Sequence, residues 1–442
     1  MDMQLSGHFS YRKLITYVLP CIAMMVITSV YSIVDGFFVS NIVGKNAFAA
    51  VNLIMPVLMG VAAFGFMIGT GGSALTAYYM GQQEQKKANA VFSMLIELIL
   101  IGSVIAAVLG FIFMPQIVNL LGASDVIRSD AILYGRILIL AEPFFMLQNS
   151  FQSFLTTAGK QRMGFCISVC AGVTNAVMDY VLIALCGFGI PGAAFASLLG
   201  QVIGGLVPLI YFLRGGSGNL KLVRSAFDFR LILKACSNGA SEMMTNLSGS
   251  LVSILYNYQL MRFAAEDGIS AYGVVMYVCF IFLAIFLGYA IGINPIIGYH
   301  YGAGNKDELH SIWKKSLILI SITAVMMTAL SELLALPIVR IFVGYDEALC
   351  QMTQKAFMMY SVSYLISGFN IFGSGFFTGL NNGMVSALIS GLRSLVFEML
   401  SVLLLPIFFG INGIWSAVTV AELLTLCVTI HFFRWGRKTY GY

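Results

Sequence analysis

The chain has 442 residues, of which 59% are hydrophobic and only 10% charged, with a formal net charge of +5. A soluble domain carries roughly 25% charged residues, so a chain this apolar could not cover its surface with polar groups. These figures exclude a soluble enzyme, and the small positive balance is no nucleic-acid footprint.

Apolar runs of about 20 residues or more recur along the chain, and a run of that length crosses a bilayer as a helix. Twelve spans are expected: 14–35, 50–78, 90–113, 131–157, 163–186, 192–213, 235–262, 270–298, 316–343, 356–380, 384–409 and 413–433. The first is long and lacks a small-residue cleavage site, so it is expected to act as its own insertion signal. With the N-terminus placed inside, 17 of the 24 Lys and Arg fall on the inner side and 6 outside (Lys45, Arg128, Arg136, Arg262, Arg340 and Lys355), with Arg393 within a span. That bias follows the positive-inside rule and predicts a multi-pass protein of the plasma (inner) membrane with both termini cytoplasmic.

The second half repeats the first at a shift of about 221 residues. Tyr78-Tyr-Met-Gly81 aligns with Tyr299-His-Tyr-Gly302, Thr157 and Met163 with Thr378 and Met384, and Gly189-Ile-Pro-Gly192 with Gly410-Ile-Asn-Gly413. Six spans per copy is an even number, so both copies enter the membrane in the same direction. The expected fold is therefore all-α and integral to the membrane: twelve transmembrane helices in two six-helix lobes, related by a pseudo-two-fold axis along the membrane normal. The boundaries expected are an N-terminal lobe over 1–213, a basic, glycine-rich cytoplasmic linker over 214–234, and a C-terminal lobe over 235–442.

An ionisable residue inside a span is a functional candidate by default. Asp35 and Asp179 each have polar company one helical turn away, Tyr31 for the first and Asn175 for the second. Gln148 and Gln152 form such a pair on the fourth span, as do Ser197 and Gln201 on the sixth. Four faces of one lobe could converge on a polar pocket whose oxygens suit Na⁺, and the carboxylates could equally take H⁺. At a shift of 221 the second copy has Tyr256, Val396, Leu400 and Val418 in place of Asp35, Asn175, Asp179 and Ser197, so the polar set belongs to one copy. Glu97, Glu142, Glu332 and Glu422 are read as span-end residues that snorkel or pair. Glu242, Met243, Tyr256, Arg393 and Glu398 are candidates for lining a substrate cleft between the lobes. Arg393 and Glu398 stand five apart, about 140° around an α-helix, and are not expected to share a face.

The eight cysteines and four histidines have no ligand spacing, so no metal site is expected beyond possible Na⁺ at the cation pocket. No Gly-Lys-Ser/Thr follows Gly69-Thr-Gly-Gly72, and no nucleophile–base cluster is evident, so neither ATP hydrolysis nor enzymatic activity is expected, and no cofactor.

Several stretches together are family-like. They are Tyr31-Ser-Ile-Val-Asp-Gly-Phe-Phe-Val-Ser-Asn-Ile-Val-Gly44, Tyr78-Tyr-Met-Gly-Gln-Gln83, Ala158-Gly-Lys-Gln-Arg162, Asn175-Ala-Val-Met-Asp179, the stretch Gly187 to Ser197, the stretch Pro295 to Asn305, and Gly410-Ile-Asn-Gly-Ile-Trp415. On these the chain resembles the multidrug and toxic compound extrusion (MATE) family of antiporters, in its DinF-like prokaryotic branch. The resemblance implies export of organic, cationic or amphiphilic drugs and toxins against H⁺ or Na⁺ entry, by alternating access in a monomer. It also implies a cation site of Asp35, Tyr31, Asn175 and Asp179, with Gln152 where the family usually has Asn and Ser197 where it often has Thr. The NorM-like branch carries a Glu deeper in the seventh helix; Glu242 lies earlier than that and Tyr256 is uncharged. The alternative is a flippase of the same superfamily moving a lipid-linked precursor, for which twelve spans and a single intramembrane arginine fit poorly.

Overall fold

The computed structural model describes residues 5–216 and 220–442, so 217–219 of the expected linker lie outside the described residues, as does the side chain of Lys45. The described chain is helical throughout, with twelve helices in chain order: α1 Tyr11–Phe38, α2 Lys45–Gly81, α3 Gln85–Leu120, α4 Asp125–Thr157, α5 Gln161–Leu185, α6 Gly189–Leu213, α7 229–264, α8 Asp267–Gly302, α9 Lys306–Val343, α10 as the bent pair Glu347–Ser361 and Tyr364–Gly379, α11 Gly383–Phe409, and α12 Ile411–Tyr440. Ten of the twelve expected spans fall within one of these, and 163–186 and 356–380 overrun theirs by one residue at the C-terminal end. They form a twelve-helix, two-lobe fold.

Among the described residues, nine of these helices are long and apolar enough to cross a membrane alone, and the two arms of α10, bent by 46°, make a tenth. The remaining two, α4 and α7, are long enough but more polar. In α4 the dilution comes from Arg128, Asp130, Arg136, Glu142, Gln148, Asn149 and Gln152. A membrane helix tolerates that many polar groups only when its polar face turns inward.

The duplication is written in the backbone. Eight of the residues with positive φ fall in matched pairs: Gly44 with Ala265, Gln83 with Gly304, and Gly189 with Gly410, each 221 apart, and Gly159 with Asn381, 222 apart. Every pair marks the same inter-helix turn in its copy. The break between α7 and α8 is one of them: Ala265 takes φ 48°, ψ −137°, a positive-φ conformation that suits glycine, where the first copy has Gly44 at φ 118°.

The two copies meet where α1 and α2 pack on α7 and α8. At the end of the bundle that carries both chain termini, the contact is reciprocal. A Cβ on Gly81 would stand 2.0 Å from the Tyr299 carbonyl, and one on Gly302 would stand 2.0 Å from the Tyr78 carbonyl. These four are repeat-related, so the contact is the same patch meeting itself across a two-fold axis. Gly298 abuts Ala77, its own counterpart, and so lies at that axis. In lipid there is little hydrophobic drive between helices, and close backbone approach through small residues supplies the packing instead. The chain entering α1 caps the same seam: Phe9 is fully buried, its N–H donates to Glu308 Oε1 at 2.8 Å, and His8 Nδ1 is 2.7 Å from Glu308 Oε2. Tyr17 ties α1 to the first copy by donating to the Thr156 carbonyl at 2.6 Å.

Candidate functional site: a polar cavity in the N-terminal lobe

A cavity of about 90 Å³ lies inside the first six helices. One wall is polar, formed by Tyr31 and Asp35 of α1, Gln148 and Glu142 of α4, Asn175 of α5, and Ser197 and Gln201 of α6. The other is apolar, with Met55, Leu58 and Met59 of α2 and Phe145 of α4. The i, i+4 pairs of α1, α5 and α6 do converge, because the helices approach closely through small residues. Tyr31 packs against Gly172, and a Cβ on Gly204 would stand 2.4 Å from Gln148 Cδ.

Asp35 is 7% exposed and Asp179 fully buried, and the two carboxyls are adjacent. Ser197 Oγ donates to Asp35 Oδ1 at 3.4 Å, and Asn175 Nδ2 donates to Ser197 Oγ at 3.4 Å. Among the described residues no donor other than the neighbouring Asp35 carboxyl reaches the oxygens of Asp179, and Asn175 Oδ1, Gln148 Oε1, Gln201 Oε1 and the Tyr134 hydroxyl lack partners. Buried polar groups in folded proteins are almost always paired, so a cluster of unpaired oxygens around two carboxylates has the chemistry to accept a cation. Two adjacent negative charges out of water repel strongly, and a proton or metal cation between them relieves the repulsion.

The sequence placement needs three corrections here. Gln152, expected as the fourth-helix amide, does not line the cavity; Gln148, one turn earlier, does, and its side chain pairs with Tyr31. Both amides share a face of α4, and only their height along the helix separates them. Asp179 does not line the open space itself but stands behind Asp35. Glu142 is no span-end residue. It sits midway along α4, 2% exposed, facing the cavity. Tyr134, a turn before Leu138 on the same wall, was missed altogether; its i, i+4 spacing to apolar Leu138 gave no signal.

The C-terminal candidates separate into three groups. Glu242 and Arg393 line a second, smaller cavity of about 30 Å³ where the lobes meet, with Thr70, Thr245, Asn294 and Ser390. Arg393 is bound to Glu422, with Nε and Nη2 each 2.8 Å from Oε1. Asn370 Nδ2 donates to Glu422 Oε2 at 2.7 Å, and Thr429 donates to Asn370 Oδ1 at 2.8 Å. Glu398 lies outside that lining but within electrostatic reach of Arg393. Its separation from Arg393 is the other correction: Leu392–Phe397 is π-helical, and a turn closed by i→i+5 bonds brings residue 398 back over residue 393. Tyr256 and Met243 are packing residues and not cleft walls. Tyr256 is 1% exposed and stacked on Tyr272 at 4.8 Å, and Met243 is half-buried against the core. Of the other span carboxylates, Glu332 accepts from Ser361 at 2.6 Å.

A model of the MatE family matches the chain twice, over residues 20–181 and 242–404. The multidrug export protein MepA of Staphylococcus saprophyticus is 20% identical over 95% of this chain and 91% of its own length. The probable multidrug resistance protein YoeA of Bacillus subtilis is 25% identical over 81% of this chain and 79% of its own. Among solved structures, an outward-facing multidrug resistance MATE family transporter of the MOP superfamily superposes with a TM-score of 0.91 at 22% identity, covering 99% of this chain and 97% of that one. A Pyrococcus furiosus transporter of the same superfamily, described as having a binding pocket of reversed polarity, gives 0.89. With both halves matched in order and the whole fold shared, the chain belongs to the MatE family of membrane transporters and is not an enzyme.

Proposed function

We propose that the protein is a cation-coupled antiporter that exports organic, cationic or amphiphilic compounds by alternating access. The relatives named as multidrug exporters support the export, and the fold supports the two-lobe mechanism. The coupling rests on one observation: the adjacent carboxyls of Asp35 and Asp179, with unpartnered oxygens around them. The cavity's size separates ion from cargo. About 90 Å³ holds a few waters or a partly hydrated ion, whereas a drug-sized ligand needs roughly 300 Å³ or more.

In this reading H⁺ or Na⁺ enters between Asp35 and Asp179, with Tyr31, Asn175, Ser197 and the Gln148 amide completing its surroundings. Loading favours one lobe arrangement over the other, which is what coupling requires. The lobes divide at 1–213 and 235–442, joined by the linker 214–234. The sealed end is the cytoplasmic one, where the Gly81–Tyr299 and Gly302–Tyr78 contacts close the seam and both termini lie. Glu242 and Arg393 meet the substrate's charge as the lobes part. The protein acts as a monomer in the cell membrane.

The test is dye efflux from proteoliposomes under separately imposed Na⁺ and H⁺ gradients. The Asp35→Asn variant should fold normally and lose gradient-driven export. Export at the wild-type rate by this variant would remove Asp35 from the mechanism.

A further inference from the structure

Glu142 stands apart from the aspartate pair although it opens on the same cavity. Among the described residues no three carboxylate, histidine or cysteine groups converge closely enough to hold a metal ion, so Glu142 does not complete a site with Asp35 and Asp179. Its Oε1 is buried with no hydrogen-bond partner, and no basic side chain pairs with it. The other titratable groups on the cavity wall are Tyr31, Asp35 and Tyr134, none of them basic. The remaining elements packed on α4 bring Met55, Leu58 and Met59 from α2, Ala171 and Asn175 from α5, and Ser197, Gly200 and Gln201 from α6. Pro143 follows immediately, removing the backbone bond to the Ile139 carbonyl and loosening the helix at this point.

A buried carboxylate with no basic partner can neutralise itself in two ways. A metal cation such as Na⁺ needs several oxygens to replace its hydration shell, and hard cations take about six; among the described residues no two further carboxylate, histidine or cysteine side chains converge on Glu142 to help supply them. A proton needs one oxygen. We propose that Glu142 carries a proton through the transport cycle, at a station separate from the cation held by Asp35 and Asp179. The step is a reversible O–H bond: the carboxylate takes H⁺ in one lobe arrangement and returns it in the other, with no other bond changed. The proposal rests on the antiport reading. It adds one proton per cycle to whatever the aspartate pair carries, Na⁺ or H⁺.

The test counts protons. The protein is reconstituted with a pH indicator trapped in the lumen and a fluorescent organic cation as cargo, and protons moved per dye exported are measured. Glu142→Gln, the isostere of the protonated form, should lower that ratio by one, and Glu142→Asp should keep it. A second measurement needs no transport: in weakly buffered detergent, protons taken up or released on saturating dye binding should differ by up to one per chain between wild type and Glu142→Gln. A ratio and a binding count both unchanged in Glu142→Gln would overturn the assignment. So would a Glu142→Gln protein that fails to fold while Glu142→Asp folds, since the charge would then be structural. If the wild type exports no dye under either gradient, the antiport reading itself fails. If it exports and the counts are unchanged, only the Glu142 assignment falls.

Discussion

In the C-terminal half, Arg393, Glu422, Asn370 and Thr429 form an unbroken chain of bonds of 2.7–2.8 Å, nearly shut from solvent. In the N-terminal half, Asp35 has only Ser197, at 3.4 Å, Asn175 and the neighbouring carboxyl of Asp179 as side-chain partners among the described residues, and Asp179 and Glu142 have no amide, hydroxyl or basic donor there. The two halves descend from one sequence and share helix order, turn conformations and a two-fold seam. They differ in whether their buried charges are already answered. A satisfied network holds a lobe together; an unsatisfied one has binding capacity left over. The difference lies along two registers. At the positions of Asn175 and Asp179 the second copy has Val396 and Leu400, both exposed on the bundle surface. Its π-helical stretch Leu392–Phe397 instead turns Arg393 and Glu398 inward.

This contrast predicts a double dissociation. The largest effect should come from Asp179→Asn: a loss of gradient-driven export of roughly a hundredfold or more, with the melting temperature unchanged or raised, because removing an unanswered charge relieves strain. Arg393→Met should do the reverse. It strands Glu422 and should destabilise the protein by about 3–5 kcal/mol, read by thermal unfolding in detergent, and the double variant Arg393→Met/Glu422→Leu should recover most of that. Equal stability losses from Asp179→Asn and Arg393→Met would erase the distinction.

Two smaller substitutions sharpen it. Gln148→Ala should weaken coupling-cation affinity by roughly five- to thirtyfold, the equivalent of one lost buried hydrogen bond of about 1–2 kcal/mol, while Gln152→Ala should leave it unchanged; cation titration of purified protein decides between the amides. The smallest effect concerns what the copies share. Ala265→Gly, which restores at the α7–α8 turn the residue that the first copy has as Gly44, should be neutral to about 1 kcal/mol stabilising.

Hydropathy made the membrane helices legible, and the constant shift of 221 made the two copies legible, because both are properties of long stretches. The convergence of Tyr31, Asp35, Asn175 and Ser197 was readable from i, i+4 spacing alone, since a polar stripe in an apolar helix must face inward. Three features were not readable. Gln148 and Gln152 lie on one stripe, and sequence carries no depth coordinate to choose between them. Glu142 has apolar Leu138 and Met146 one turn away on either side, so i, i+4 spacing gave it no polar company. The π-helical turn between Arg393 and Glu398 breaks the 100° rule, and no residue in it announces the break.

The most direct test of the contrast compares two paired variants in proteoliposomes, Asp35→Asn/Asp179→Asn and Glu242→Gln/Glu398→Gln, each assayed for dye export with and without an imposed Na⁺ or H⁺ gradient. The first pair should lose the gradient's acceleration entirely. The second should keep it, with any change confined to the apparent affinity for dye. Gradient-accelerated export surviving in the first pair, or vanishing only in the second, would contradict an ion site in the N-terminal lobe.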